Sequence, residues 1–263
     1  MNKHVERVKN QVIIQARMGS TRLPGKTMMP LAGRPVLEHV VRRSGAAMLV
    51  DRVVVATTDL AGDDELERWC AENAVPCVRG SSDDVLARYV LAAEKFPCEN
   101  LVRITADCPL IDPGIIDALL SLHLDGNKDY TANVIPPTFP VGFDAEVVKT
   151  EVLRQVGEKA TLNSHREHVT LYIRENLEQF AVANLSYGKN YEHIRLTLDR
   201  DADYQLLQAV FAHFAASPPL FSFYQVMDFL LQNEHLITIN AQVDRFEGMN
   251  KSAAAENRKL KWQ

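Results

Sequence analysis

The stretch QVIIQARMGSTRLPGK, residues 11–26, reads as a buried strand running straight into a basic, glycine-containing loop. Gln11 to Ala16 is the strand. Arg17, Arg22 and Lys26 follow with Gly19 and Gly25, at a strand end where the backbone turns its N–H groups and three cationic side chains toward one anion. A triphosphate is the guest that such a loop suits. The spelling is neither Gly-x-x-x-x-Gly-Lys-Ser/Thr nor Gly-x-Gly-x-x-Gly, so the loop is neither a Walker A motif nor a dinucleotide fingerprint. A solvated basic turn is the plain alternative.

Outward from this stretch, Val- and Ile-rich runs at Val12 to Gln15, Val53 to Ala56 and Leu101 to Thr105 alternate with helical periodicity. The helical stretches are Val36 to Met48, Asp63 to Asn73, Asp83 to Lys95 and Pro113 to His123. Alternation of this kind implies βαβ units and an α/β fold with a mostly parallel sheet. Ligands of such sheets bind at the carboxyl ends of the strands. The basic loop after Gln15 and the acidic residue after Thr105 are therefore expected at one edge.

From Asp129 to Val147, Pro136, Pro137, Pro140 and Gly142 punctuate short extended pieces, which predicts a β excursion carrying a substrate loop. Helices near Lys149 to Gly157 and Ser164 to Glu175 precede strands at Phe180 to Asn184 and Ile194 to Leu198. A helix from Ala202 to Phe214, the pair Pro218 and Pro219, and a short amphipathic helix from Tyr224 to Asn233 follow. The polar stretch Glu247 to Gln263 is expected to be mobile or docked on a partner subunit. The domain reading is an N-terminal extension over 1–10, a nucleotide-handling domain over 11–216, and a C-terminal helical extension and tail over 217–263.

A chain of 263 residues with 46% apolar content can bury a sizeable core. Cys70, Cys77, Cys98 and Cys108 show no Cys-x-x-Cys spacing and no apolar leader opens the chain, so a reduced, cytoplasmic setting is expected. A net charge of −5 and the absence of a long basic run argue against a nucleic-acid partner. No apolar run approaches the roughly 20 residues that span a bilayer, so no membrane partner is expected.

Asp107, just after the strand Leu101 to Thr105, is a carboxylate facing the triphosphate loop and suits Mg²⁺, which takes a few carboxylates plus phosphate oxygens and water. Asp112, ahead of Pro113, reads as the cap of the next helix. Ser82 or Asp83 reads as the cap of the helix after Gly80, and Ser164 with Glu167 spells a capping box. His165 to His168 is too sparse in ligands for zinc.

Arg17, Ser20, Arg22, Pro24 and Lys26 fit an Arg-x-x-Ser-x-Arg-x-Pro-x-Lys pattern, and in this the chain resembles the sugar-activating cytidylyltransferases. Within them it is most similar to the SpsF-like group of spore coat polysaccharide biosynthesis, related to synthetases of CMP-activated acidic sugars. Val53 to Asp59, Arg79 to Arg88, Val102 to Asp112 and Arg166 to Tyr172 extend the likeness over roughly residues 11 to 215. The resemblance implies a Rossmann-like nucleotide-diphospho-sugar transferase fold, also called GT-A-like. It further implies transfer of CMP from CTP to an acidic or phosphorylated sugar-like acceptor, with release of pyrophosphate, in surface polysaccharide biosynthesis.

Carried over residue by residue, Arg17, Lys26 and Asp107 are the catalytic set, and Gln15, Ala16, Gly19, Ser20, Arg22, Arg79 and Ser81 bind the nucleotide. Asp107 and Asp199 hold Mg²⁺, while Asp144, Glu146, Arg166, Glu167 and His168 face the acceptor. Thr197 stands where some relatives carry a further acid. Asp199 or Asp201 is alternatively the cap of the helix that follows. A homodimer is expected, through the segment after Asp129 and the C-terminal stretch. Two rival readings remain: a glycosyltransferase using a nucleotide sugar, for which Asp199, Arg200 and Asp201 spell Asp-x-Asp, and a non-catalytic nucleotide-binding protein.

Overall fold

The computed structural model describes residues 8–217 and 220–260, so Pro218, Pro219 and the ends of the first and last predicted segments lie outside it. In chain order the strands are β1 (Asn10–Gln15), the short hairpin β2 (Pro30–Leu31) and β3 (Arg34–Pro35), β4 (Arg52–Thr58), β5 (Cys77–Gly80), β6 (Asn100–Thr105), β7 (Tyr130–Ala132), β8 (Glu146–Lys149) and β9 (Val182–Asn184). The helices are α1 (Val36–Gly45), α2 (Asp64–Glu72), α3 (Val85–Lys95), α4 (Pro113–Asp125), α5 (Thr150–Lys159), α6 (Asn163–Glu167), α7 (Leu171–Arg174), α8 (Asp201–His213), α9 (Phe223–Gln232), α10 (Glu234–Ile237) and α11 (Glu247–Ala255).

Seven strands form one sheet in the order β5-β4-β1-β6-β8-β7-β9. β1 lies between β4 and β6, parallel to both, with Gln15 level with Ala56 and Thr105. β8 is antiparallel to β6 and β7 and so forms the predicted β excursion. The strict alternation of β1 decides which layer covers each face. Val12 and Ile14 enter a core with Leu37 and Val40 of α1, Leu119 of α4, Leu207 of α8 and Val226 of α9. Ile13 enters a second core on the other face, with Leu86 and Tyr89 of α3 and Leu153 of α5. Among the described residues no helix is long and apolar enough to cross a membrane.

Several local expectations differ from what forms. Ile194 to Leu198 is extended but not a ladder strand, because its hydrogen bonds go to two separate segments: Leu196 N to Val141 O and Leu198 N to Asp107 O. Arg195 makes only an isolated bridge to Val141. The helix expected over Ser164 to Glu175 is broken into α6 and α7 at Val169, whose φ is +53°. Asp84, rather than Ser82 or Asp83, caps α3, and Asp112 caps α4 as read.

Neither Asp199 nor Asp201 caps α8. Arg200 is its N-cap residue, and its N–H is accepted from inside the helix by Asp203. Ser164 does not cap α6; its hydroxyl and N–H both go to Glu256. That contact belongs to a larger correction, because the polar C-terminal stretch folds back on its own chain. Ala253 and Leu260 bury against Leu171, and Arg258 pairs with Glu175 at 2.5 Å.

Candidate active site

The basic loop is shaped by its own backbone before any ligand arrives. Gly25, at φ +72°, lets the chain turn into the single helical turn that starts at Lys26, in a region that only glycine occupies without strain. Leu23 and Thr27 are buried, and Thr27 Oγ1 donates to Arg17 O at 2.9 Å. The Asp63 carboxylate anchors the front of the loop by accepting Met18 N at 2.7 Å, while its other oxygen binds Thr57 and Thr58 at the end of β4.

Lys26 is thereby aimed along the carboxyl ends of β1 and β6. Its Nζ donates to Asp107 Oδ2 at 2.7 Å, Asp199 Oδ1 at 2.6 Å and Leu198 O at 2.8 Å. Two carboxylates far apart in the sequence, Asp107 and Asp199, thus meet on Lys26. Asp107 is held by Thr105 Oγ1 at 2.5 Å, and Asp199 by Arg195 Nη2 at 2.7 Å. Arg22 adds a second loop cation, 3.2 Å from Asp199 and 3.6 Å from Glu247 of the C-terminal stretch.

Burial alone would lower the Lys26 pKa and raise that of Asp199. Their mutual attraction outweighs it: Asp107 and Asp199 hold the ammonium above its usual value, and Lys26, Arg195 and Arg22 hold Asp199 far below the usual carboxylate range. Lys26 and Asp199 are therefore both charged at neutral pH. Thr197, in the place of a further acid, donates its hydroxyl to Asp107 O at 3.0 Å and so stitches the two carboxylate-bearing segments together.

Two carboxylates converging on one ammonium define a cation position. Among the described residues no group of three or more His, Cys, Asp or Glu side chains gathers to hold a metal. The pair fits magnesium, which is satisfied by a few carboxylates when phosphate oxygens and water complete the shell. It does not fit a metal needing a full protein cage.

Of the remaining expected site residues, Arg17 and Gly19 are exposed on the loop and Ala16 is buried at its root, its N–H bound to Ala56 O. Ser20 braces the loop by accepting Leu23 N at 3.2 Å. Gln15 accepts from Arg103 Nη2 at 3.2 Å and Tyr89 OH at 3.4 Å. Arg79 spends its guanidinium on Thr58 O, Leu60 O, Asp64 and Glu67, and Ser81 accepts Asp83 N and Asp84 N.

Among the residues expected to face an acceptor, Asp144 binds Arg245 at 2.5 Å, and Glu146 is buried against Arg103, Tyr130 and Thr170. Arg166 forks onto Asp84 and reaches Gly157 O, while Glu167 and His168 both meet Ser252 on α11. Lys26, Asp107, Asp199 and Arg22 are thus brought together by direct contacts; Arg79, Arg166, Glu167 and His168 are engaged elsewhere.

Sequence reasoning missed the supports: Asp63, Arg195 and Asp203. Asp203 is 1% exposed, and one of its oxygens accepts the N–H groups of both Asp199 and Arg200. The only signal for them was acids and an arginine clustered around a turn, which reads equally as capping.

A family model described as Cytidylyltransferase matches residues 11–243. The chain belongs to the cytidylyltransferase family. Among its relatives in the family is the spore coat polysaccharide biosynthesis protein SpsF of Bacillus subtilis, 35% identical over 206 residues, 76% of this chain and 85% of that one. A 3-deoxy-manno-octulosonate cytidylyltransferase of Chlorobium chlorochromatii is 30% identical over 210 residues, covering 79% of this chain and 77% of its own length. The solved cytidylyltransferase of Leptospira borgpetersenii superposes with a TM-score of 0.84 at 32% identity, covering 91% of this chain and all of that one. Those likenesses establish the cytidylyltransferase fold over the sheet and the site.

Proposed function

We propose that this cytidylyltransferase transfers CMP from CTP to a small acidic or phosphorylated sugar-like acceptor, with release of pyrophosphate, in the making of a surface polysaccharide. The observation that carries the reading is Lys26 clasped between Asp107 and Asp199 at the carboxyl ends of β1 and β6. In the reaction an acceptor oxygen attacks the α-phosphorus in line, the new P–O bond forms, and the bond to the bridging oxygen breaks. Pyrophosphate leaves with the electron pair.

Little covalent work falls to the protein, so positioning and charge carry catalysis. Arg17, Arg22 and Lys26 bind the phosphates, and Lys26 exchanges its carboxylates for phosphate oxygens as it does so. The freed Asp107 and Asp199 would hold Mg²⁺, which when bound neutralises phosphate charge. Asp144 and Glu146 line the acceptor side in this reading, and the protein works as a homodimer in the cytoplasm. The glycosyltransferase alternative is less well supported, since Asp201 is exposed at the start of α8 while Asp199 turns inward to Lys26, so the two acids do not converge.

The test is acceptor-dependent release of pyrophosphate from CTP, run beside UTP, GTP, ATP and UDP-sugars with and without Mg²⁺. Turnover with Mg²⁺ and CTP is the expected result. Consumption of a nucleotide sugar alone would overturn the reading.

A further inference from the structure

Asp199 does not pair with Lys26 alone, and the ion pairs continue outward to the surface. Its Oδ1 lies 2.6 Å from Lys26 Nζ and 3.2 Å from Arg22 Nη2, and the other end of that guanidinium, Nη1, lies 3.6 Å from Glu247 Oε2. The same Glu247 oxygen accepts from Arg200 Nη2 at 2.9 Å, while Lys251 clasps the second oxygen at 2.6 Å. Charges thus alternate from Lys26 through Asp199, Arg22 and Glu247 to Arg200. The two arginines are open to solvent, with side chains 40% and 43% exposed, so an anion can reach them.

Both arginines belong to the body of the fold, whereas Glu247 does not. Arg22 sits on the phosphate loop, and Arg200 is anchored at the start of α8, where Asp203 accepts its N–H at 3.0 Å. Glu247 opens α11, beyond residue 243 where the match to the family's model stops. Arg245, Ser252 and Arg258 hold this segment by polar contacts, and its apolar anchor is the small cluster of Ala253 and Leu260 on Leu171. A segment with so few buried apolar contacts opens at low local cost.

Two exposed guanidinium groups converging on one carboxylate make an anion site, and the same fork suits phosphate oxygens. We propose that Arg22 and Arg200 form the outer half of the phosphate site and that Glu247 fills it when no nucleotide is bound, so that α11 competes with the terminal phosphates for two cations. Arg200 thereby becomes a phosphate ligand and Glu247 an internal competitor. The phosphates displace Glu247, and the start of α11 loosens as they do so. By linkage, weakening the hold of Glu247 must appear as tighter phosphate binding. This inference rests on the CTP reading above, of which it needs only the phosphates.

The test uses inorganic tripolyphosphate, which carries the phosphates without base or sugar, titrated calorimetrically into the full chain at low salt. Wild type, Glu247→Gln, Arg200→Gln and the double variant are compared, each first shown to be folded by its thermal unfolding. Glu247→Gln should bind about three- to fivefold more tightly and Arg200→Gln more weakly by a similar factor, the scale of a partly exposed ion pair. In the Arg200→Gln background the gain from Glu247→Gln should shrink. A gain of full size there is the general effect of one lost negative charge and overturns the competition, as does unchanged affinity in Glu247→Gln; unchanged affinity in Arg200→Gln overturns its role as a ligand. Hydrogen exchange needs no variant: amides of residues 247–255 in the wild type should exchange faster with tripolyphosphate bound, and unchanged or slower exchange contradicts the displacement. A wild type that binds CTP but not tripolyphosphate overturns this inference alone, and one that binds neither overturns the CTP reading with it.

Discussion

Lys26 is the residue on which the site turns, because one ammonium joins the loop, the end of β6 and the segment after Leu198. Lys26→Met removes the charge that the proposed transition state would use and leaves Asp107 without its ion-pair partner, while Asp199 keeps Arg195 and Arg22. We expect kcat to fall about 10²- to 10³-fold, as when one preorganised donor to a developing charge is lost. Steady-state kinetics check this, and wild-type turnover in Lys26→Met would remove Lys26 from the reaction. The charged cluster was legible in the sequence, since Arg22, Lys26 and Asp107 declare themselves by charge at the end of an apolar run. Asp63, Arg195 and Asp203 were not legible. They act on backbone N–H groups or on the Asp199 carboxylate, and their spelling reads equally as capping.

At the scale of elements, the placement of Asp199 depends on how closely two non-strand segments approach. Gly142 has φ +108°, and a Cβ there would lie 2.5 Å from Leu196 O. The Val141 pairing with Ile194 and Leu196 that flanks it holds the 194–199 segment against the loop that carries Gly142. Gly142→Ala is therefore expected to cost roughly 2–4 kcal/mol, from left-handed strain plus displacement of that segment. Chemical denaturation gives the value, and an unchanged midpoint would contradict the packing argument. β1, β4, β6 and the helices between them were readable because their periodicity is strong. β5 was passed over because Cys77–Gly80 is short and ends in a glycine. The run Ile194 to Leu198 looked like a strand because its side chains alternate, yet alternation does not say where the backbone bonds will go.

At the scale of the whole molecule, acid should loosen the sheet before it disturbs the site. His123 is 1% exposed between Thr131 and Asn100, and burial first, then Lys149, lowers its pKa to about 4. His168 is lowered to about 4 as well, again chiefly by burial. An unfolded histidine takes its proton near pH 6.5, so between about pH 6.5 and 4 the unfolded chain binds more protons and stability falls as pH falls. The Asp199 contribution has the depressed-carboxylate sign and persists through that window, being lost only at lower pH. His123→Gln should flatten the slope by on the order of 2–3 kcal/mol across the window. Unfolding free energies at several pH values check this, and an equal slope in wild type and variant would refute it.

The same scale holds the central claim, that one edge of one sheet moves a nucleotidyl group from CTP to a sugar-like acceptor. The most direct measurement follows the α-phosphate: CTP labelled there is incubated with the protein, Mg²⁺ and a panel of acidic and phosphorylated sugars, and the products are weighed by mass spectrometry. The account predicts an acceptor-linked CMP formed one-for-one with pyrophosphate. Label that stays in CTP with every acceptor, while a nucleotide sugar is consumed instead, would contradict it.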